Sequence, residues 1–134
     1  MIEEVANHLR THHPDVAFDC GEHALLVPAT SEDGFSVGLR RLPGIWEVSY
    51  DAWHHQCTTE EEALDYFRNG LTGAARLRIT SRGGQPYRWQ AEVNTHDAWR
   101  PDWIMRRFFF PFWQPKSERI LRNTGCSWSR EVPR

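Results

Sequence analysis

The amino-acid sequence predicts an α+β fold built on a mostly antiparallel sheet of about five to seven strands, with two or three helices packed on one face. Three observations support this fold class. Two segments have the apolar spacing of amphipathic helices, several have the apolar pattern of strands, and short turns join consecutive strands. Strands joined by short turns form antiparallel sheets. The 134 residues fit one domain, spanning residues 1–134.

The first predicted element is a helix over residues 2–12. Ile2, Val5 and Leu9 recur at the spacing that places side chains on one face of a helix. Pro14 ends this helix because the residue before a proline is biased away from helical geometry. The apolar face is expected to cover the sheet.

Four strands are expected next, because alternating or continuous apolar residues lie between turn-forming residues. They are predicted within residues 16–20, 23–29, 35–39 and 46–50. Pro43 and Gly44 mark the turn between the last two, and pairing of Leu39 with Val48 aligns their apolar faces. A loop of two or four residues gives that pairing. We expect four, because a Pro-Gly type II turn splays a two-residue hairpin.

The second helix is predicted over residues 59–69. A threonine stands three positions before a glutamate twice, at Thr58 and at Thr59, and either pair suits a capping box. Gly70 is expected just beyond the end of the helix, where glycine is common. The predicted buried stripe consists of Ala63, Leu64, Phe67 and Leu71.

Two further strands, running from Ala75 to Val93, are predicted to form a hairpin with one apolar and one basic face. Apolar residues occupy the odd positions of both strands, so their faces align only across a loop with an odd number of residues. We therefore expect a three-residue loop over 82–84, with Gly84 in left-handed conformation. The predicted basic face consists of Arg76, Arg78 and Arg88.

The C-terminal part is predicted to contain one helix, one strand and a tail. Pro101 suits the first turn of a helix, which predicts a short helix over residues 101–109. A last strand is predicted over 117–123. Residues 124–134 are predicted to form an irregular tail.

Three features predict a cytoplasmic protein with no membrane association. No apolar run approaches the roughly 20 residues that a membrane helix needs. The first ten residues lack the apolar segment of a signal peptide. The three cysteines, Cys20, Cys57 and Cys126, are too few and too scattered for a disulfide framework.

Charge is distributed unevenly along the chain. Residues 1–67 hold 3 basic and 13 acidic residues, a net charge of −10, whereas residues 68–134 hold 13 basic and 5 acidic residues, a net charge of +8. Such asymmetry either marks a surface for an acidic ligand or a nucleic acid, or is neutralised where the two halves meet.

No motif predicts catalysis, a metal site or a cofactor. His8 and His12 lie four residues apart on the first helix, but a zinc site needs three or four converging ligands. Cys57 follows two histidines and precedes a helix N-terminus, which lowers thiol pKa values, but the glutamates after it oppose a thiolate. We therefore expect no catalytic residue, no metal and no cofactor, and the sequence leans against an enzyme.

The densest aromatic segment, WRPDWIMRRFFFPFW, spans residues 99–113 and holds 7 of the 17 aromatic residues and three arginines. Its three consecutive phenylalanines cannot all face one core, either from a helix or from a strand. Arginine mixed with Trp and Phe is typical of protein interfaces. The predicted binding residues are Trp99, Trp103, Arg106, Arg107, Phe109, Phe112 and Trp113.

The sequence therefore favours a small protein-binding module of a chaperone-like or immunity-like class, which docks a protein partner or a second copy of itself through residues 99–113. One alternative is a ligand-binding protein or enzyme with a pocket lined by Trp and His. Another is a binder of RNA or single-stranded nucleic acid, which an isoelectric point of about 6.4 argues against. In a fourth interpretation the rings are core and the arginines pair with the acidic residues.

Overall fold

A computed structural model describes residues 2–124 and confirms the α+β class, but its strands form two antiparallel sheets where one was expected. Sheet A has the strand order β1-β2-β3-β4-β5 and sheet B the order β8-β7-β6-β9. The elements are α1 (Ile2–His12), β1 (Asp19–Cys20), β2 (Ala24–Val27), β3 (Val37–Leu42), β4 (Ile45–Tyr50), β5 (Trp53–Cys57), α2 (Glu60–Thr72), β6 (Ala75–Arg82), β7 (Gln85–Thr95), β8 (Ala98–Arg106) and β9 (Lys116–Arg122).

The division into two sheets coincides with the position of α2 in the chain. This helix separates β5 from β6, so the chain leaves sheet A and starts a second sheet after it. Helix α2 contacts β3, β4 and β5 of sheet A and β6 of sheet B, whereas α1 contacts β1, β2 and β3. One cluster of buried side chains draws on both helices and both sheets.

Two of the three predicted helices are present. The apolar face of α1 is buried, as its spacing predicted. Helix α2 begins as the capping box requires, because the Thr59 hydroxyl accepts a hydrogen bond from the Glu62 amide at 3.2 Å. The predicted end of α2 is wrong, because Gly70 lies inside the helix and the left-handed Gly73 (φ 81°) ends it. At Gly70 a Cβ would collide with the Tyr50 ring.

The hairpin registers were predicted better than the loops. Leu39 pairs with Val48, but the loop is the two-residue turn Pro43–Gly44 and not a four-residue loop. The β6–β7 strands also pair as predicted, with Leu77 opposite Ala91. Their loop is a two-residue Gly83–Gly84 turn, with both glycines at positive φ, and the extra residue is a bulge at Tyr87.

Two elements were missed or wrongly assigned. Strand β5 was not predicted, because it is short and rich in polar residues. The predicted helix over 101–109 is wrong: residues 101–106 belong to strand β8, which pairs with β7 at the edge of sheet B, and residues 107–109 lie in the connection to β9. Pro101 is compatible with β8 because an edge strand leaves some backbone positions without ladder hydrogen bonds.

Strand β9 confirms the last predicted strand, and the residue after it ties sheet B to α2 and to the segment that precedes β3. The Asn123 side chain accepts a hydrogen bond from the Phe35 amide and donates to the carbonyls of Phe35 and Gly70, all at 2.9 Å. Asn123 is buried, so these bonds are shielded from water. The predicted tail over 124–134 lies, apart from Thr124, outside the described residues. Neither helix within residues 2–124 has the length and apolar character needed to cross a membrane.

Phe67 on α2 provides a test of this packing, because its ring is fully buried against the shared core. Phe67→Ala should lower the free energy of unfolding by about 3–5 kcal/mol, since it leaves a cavity in a packed core. Chemical denaturation measures the loss, and Glu61→Ala, on the exposed face of the same helix, is the control. A loss below about 1 kcal/mol in Phe67→Ala would show that α2 does not pack by this face.

Candidate functional site

Residues 107–115, named here the aromatic loop, connect β8 to β9 and present four large rings to solvent. Phe108 and Phe109 are each 94% exposed, Phe112 is 69% exposed and Trp113 is 71% exposed. Apolar side chains exposed to this degree and adjacent to one another are uncommon on a monomer and mark contact sites. These rings, three of which belong to the predicted binding residues, therefore lie outside the core.

The aromatic loop is fixed to the end of the β6–β7 hairpin. The Arg107 amide donates a hydrogen bond to the Tyr87 carbonyl at 2.8 Å, and the Gly83 amide donates to the Pro115 carbonyl at 3.0 Å. The Phe110 ring stacks on the Tyr87 ring with centroids 4.1 Å apart. Tyr87 thus supports the aromatic loop. Of the five rings in the loop, Phe110 is the anchor and the other four stay exposed.

Five basic residues lie within the aromatic loop or at the strand ends beside it and form what we name the cationic rim. Two pairs of them lie directly opposite each other on neighbouring strands, Arg88 with Arg106 and Arg82 with Lys116. Like charges in such positions destabilise a sheet. None of the five forms an ion pair with the carboxylates of residues 2–124. The cationic rim consists of Arg82, Arg88, Arg106, Arg107 and Lys116.

The structure separates the predicted binding residues into three places. Five of them, Arg106, Arg107, Phe109, Phe112 and Trp113, belong to the aromatic loop and its cationic rim. Trp99 lies elsewhere on sheet B, where the guanidinium carbons of Arg76 and Arg122 are 4.2 and 5.0 Å from its ring centroid. Trp103 lies where β8 meets β5, with its ring stacked on His55 and 54% exposed. The segment 99–113 is therefore not one surface.

The predicted basic face is also not uniform. Arg76 and Arg78 bind the buried Glu92 carboxylate at 2.6 and 3.1 Å. Burial by itself raises the pKa of Glu92, but the hydrogen bonds and charges of the two arginines prevail and lower it below its ordinary value. Arg88 lies apart from this group, in the cationic rim. Two of the three predicted basic residues are thus neutralised by an acid from their own sheet.

A second candidate site lies where β5 meets β8. Between the pairs Gln90–Ile104 and Glu92–Pro101, two residues of β8, Asp102 and Trp103, face one residue of β7. Such a bulge redirects side chains, and bulges are common next to functional sites. The Asp102 carboxylate accepts a hydrogen bond from the Tyr66 hydroxyl at 2.9 Å. The Trp103 ring stacks on His55 with centroids 4.5 Å apart.

Strand β5 and helix α2 supply the other side of this second site. Trp53, His55 and Cys57 share one face of β5, and the His55 ring lies 3.5 Å from the Glu62 carboxylate of α2. Cys57 is only 1% exposed. Burial, together with the charges of Glu62 and Asp102, raises the pKa of the Cys57 thiol to about 12. A thiol in that state is a poor nucleophile.

Sequence reasoning considered Cys57 and His55 but missed their partners. The alternation of Trp53, His55 and Cys57 was the available signal, since residues two apart on a strand share a face. Nothing local indicates that Tyr66 and Asp102 belong to the same site, because the contact depends on how α2 and β8 come together.

Comparisons of the chain with models of known protein families, with curated proteins and with solved structures find no match.

The Glu92 contacts give a testable pH dependence. Because the pKa of Glu92 is lower in the folded protein than in the unfolded chain, its stabilisation is fully present above the ordinary carboxyl pKa of about 4.3. It is lost as the pH falls through the folded-state pKa. Glu92→Gln should lower the free energy of unfolding at neutral pH by about 1–3 kcal/mol and flatten its decline in acid.

Urea denaturation between neutral and acidic pH measures this effect. The matched control is Glu118→Gln. The Glu118 carboxylate is more exposed than that of Glu92 and pairs with only one arginine of this face, Arg78, at 3.6 Å. The control should lose less stability than Glu92→Gln. An equal loss in both variants, or an unchanged acid profile in Glu92→Gln, would contradict the role assigned to Glu92.

Proposed function

We propose that this protein is an interaction module that binds an acidic, partly apolar segment of another protein through the aromatic loop and its cationic rim. The observation that carries the proposal is the exposure of four rings between Phe108 and Trp113, at 69–94%. Trp, Phe and Arg supply most of the binding energy in protein interfaces. The rings provide apolar contact area, and the cationic rim selects for negative charge.

The charge of the cationic rim supports an acidic partner. Arg88 opposite Arg106, and Arg82 opposite Lys116, repel each other in the free protein. A carboxylate placed between these cations would relieve the repulsion and accept hydrogen bonds. The free energy of that relief is gained only when the partner is bound.

The same charges argue against a second copy as the principal partner. A two-fold dimer brings identical surfaces together, so each cationic rim would face the other. The acidic N-terminal half offers a complementary surface, but its contact with the aromatic loop of a second copy would be head-to-tail. Such contacts produce rings or open filaments and not simple dimers.

Three further properties form part of the proposal. Residues 1–134 form one domain, which the shared buried cluster of both sheets supports. Both helices cover one face of the fold, which their common contact with β3 supports. The protein acts in the cytoplasm, which the free Cys20 and Cys57 thiols support, since thiols persist in reducing compartments.

One observation favours a second function, the binding of a small ligand beside the junction of β5 and β8. A cleft of about 390 Å³ there is lined by Tyr66, Arg100 and Asp102 among others. No Trp or His lines this cleft, so it differs from the Trp- and His-lined pocket considered from the sequence, although Glu62, which lies 3.5 Å from His55, is part of its lining. The cleft is polar and acidic on several sides, which favours a cationic or hydrogen-bonding ligand.

The proposed docking is tested with the double variant Phe109→Ser/Trp113→Ser. The probe is a fluorescent peptide of alternating glutamate and leucine, and anisotropy measures its dissociation constant. The double variant should weaken binding at least about tenfold, because it removes two exposed anchor rings. Its free energy of unfolding should change by less than about 0.5 kcal/mol per substitution, since both rings are exposed.

Arg106→Gln/Arg107→Gln tests the cationic rim and should weaken both the affinity and its dependence on salt. A matched peptide of lysine and leucine should not bind. Equal affinity of wild type and the ring variant would contradict the proposal, as would tighter binding of a single-stranded oligonucleotide at the same surface. Light scattering that shows a wild-type dimer, abolished in the ring variant, would replace the acidic partner with a second copy.

A further inference from the structure

We propose that His55, Cys57 and Glu62 form a zinc-binding site at the junction of β5 and α2. The sequence alone predicts no metal site, because the three residues match no spacing motif. The fold nevertheless brings one nitrogen, one sulfur and one oxygen ligand atom within 4.8 Å of one another. This site is distinct from the aromatic loop and does not depend on the function proposed for it.

The geometry needs only small side-chain movements to hold an ion. Zinc binds nitrogen and oxygen at about 2.0–2.1 Å and thiolate sulfur at about 2.3 Å, so its tetrahedral ligands lie roughly 3.3–3.8 Å apart. The His55 Nε2 and Glu62 Oε1 atoms are already 3.5 Å apart. The three groups project from two adjoining rigid elements, a strand and the first turn of a helix.

The chemistry of the ligand set favours zinc over the hard cations. Imidazole and thiolate are ligands of zinc and of the softer transition metals, whereas magnesium and calcium prefer oxygen alone. His55 is held against Trp103 by ring stacking, which limits the orientations of the imidazole. An immobilised ligand loses less conformational entropy when the metal binds.

The surrounding charges favour a cation. The Glu62 carboxylate is one of the three ligands, and the Asp102 carboxylate lines the adjoining cleft, where it accepts a hydrogen bond from Tyr66. A divalent ion attracts such carboxylates and stabilises the thiolate as a ligand. The zinc displaces the thiol proton to solvent, so binding should weaken as the pH falls.

Three protein ligands leave one tetrahedral position for water. The Glu62 side chain is 43% exposed and lines the cleft that also contains Tyr66 and Asp102. The proposed site thus adjoins this cleft through Glu62. Three protein ligands and one water are the arrangement found in zinc sites that bind a substrate.

The test uses the full chain carrying Cys20→Ser and Cys126→Ser, so that Cys57 is its only thiol. Cobalt(II) serves as the spectroscopic probe and zinc as the competitor. We expect an equimolar complex with a near-ultraviolet thiolate-to-cobalt charge-transfer band, displaced by zinc. Zinc should also raise the melting temperature of this chain, since it binds the folded state. The histidines of α1 cannot produce a thiolate band.

Matched variants locate the ligands. Cys57→Ala should abolish the band, and His55→Gln and Glu62→Gln should each weaken cobalt affinity about tenfold or more. The controls are His54→Gln and Glu61→Gln, which alter the exposed neighbours of two ligands and should retain wild-type affinity. His55 and Glu62 are partly exposed, so their variants keep the test valid if Cys57→Ala fails to fold. Absence of the band in the parent chain, or equal affinity of His55→Gln and His54→Gln, would overturn the proposal.

Discussion

The hydrogen bond from Trp53 to Trp103 is the interaction on which the arrangement of the candidate sites depends. The fully buried Trp53 indole in sheet A donates to the Trp103 carbonyl of β8 in sheet B at 3.0 Å. It also stacks on Tyr50 with ring centroids 4.7 Å apart. A buried donor without a partner carries a large free-energy penalty. The indole therefore fixes where β8 crosses β5.

Two consequences follow from that crossing. The bulge of β8 places Asp102 against Tyr66 and Trp103 against His55, so α2, β5 and β8 meet around the Cys57 thiol. Farther along the chain, β8 leads into residues 107–115, which lie at the end of the β6–β7 hairpin and contact Tyr87 there. The junction thus lies in the middle of β8, and the aromatic loop follows the C-terminal end of the same strand. The junction is packed and polar, and the loop is exposed and apolar with a basic rim.

The sequence predicted what depends on local pattern. The α1 stripe, the Thr59 cap and the pairing of Leu39 with Val48 each follow from residues near one another in the chain. The strand character of 98–106 was missed because Pro101 suits a helix start equally well, and sheet pairing decided between them. The meeting of His55 with Glu62, and of Tyr66 with Asp102, was beyond local reasoning, since it depends on how the two sheets pack.

The most direct test of the role of the Trp53 hydrogen bond is amide hydrogen exchange in Trp53→Phe. This variant keeps a buried ring but removes the indole donor. If this bond fixes β8, the exchange protection of the β8 amides should fall about tenfold or more, whereas the protection of the α1 amides should change little. Trp46→Phe is the control, because Trp46 is also buried in sheet A but contacts Arg41 there. Unchanged protection of β8 in Trp53→Phe, or an equal loss in Trp46→Phe, would contradict this role of the hydrogen bond.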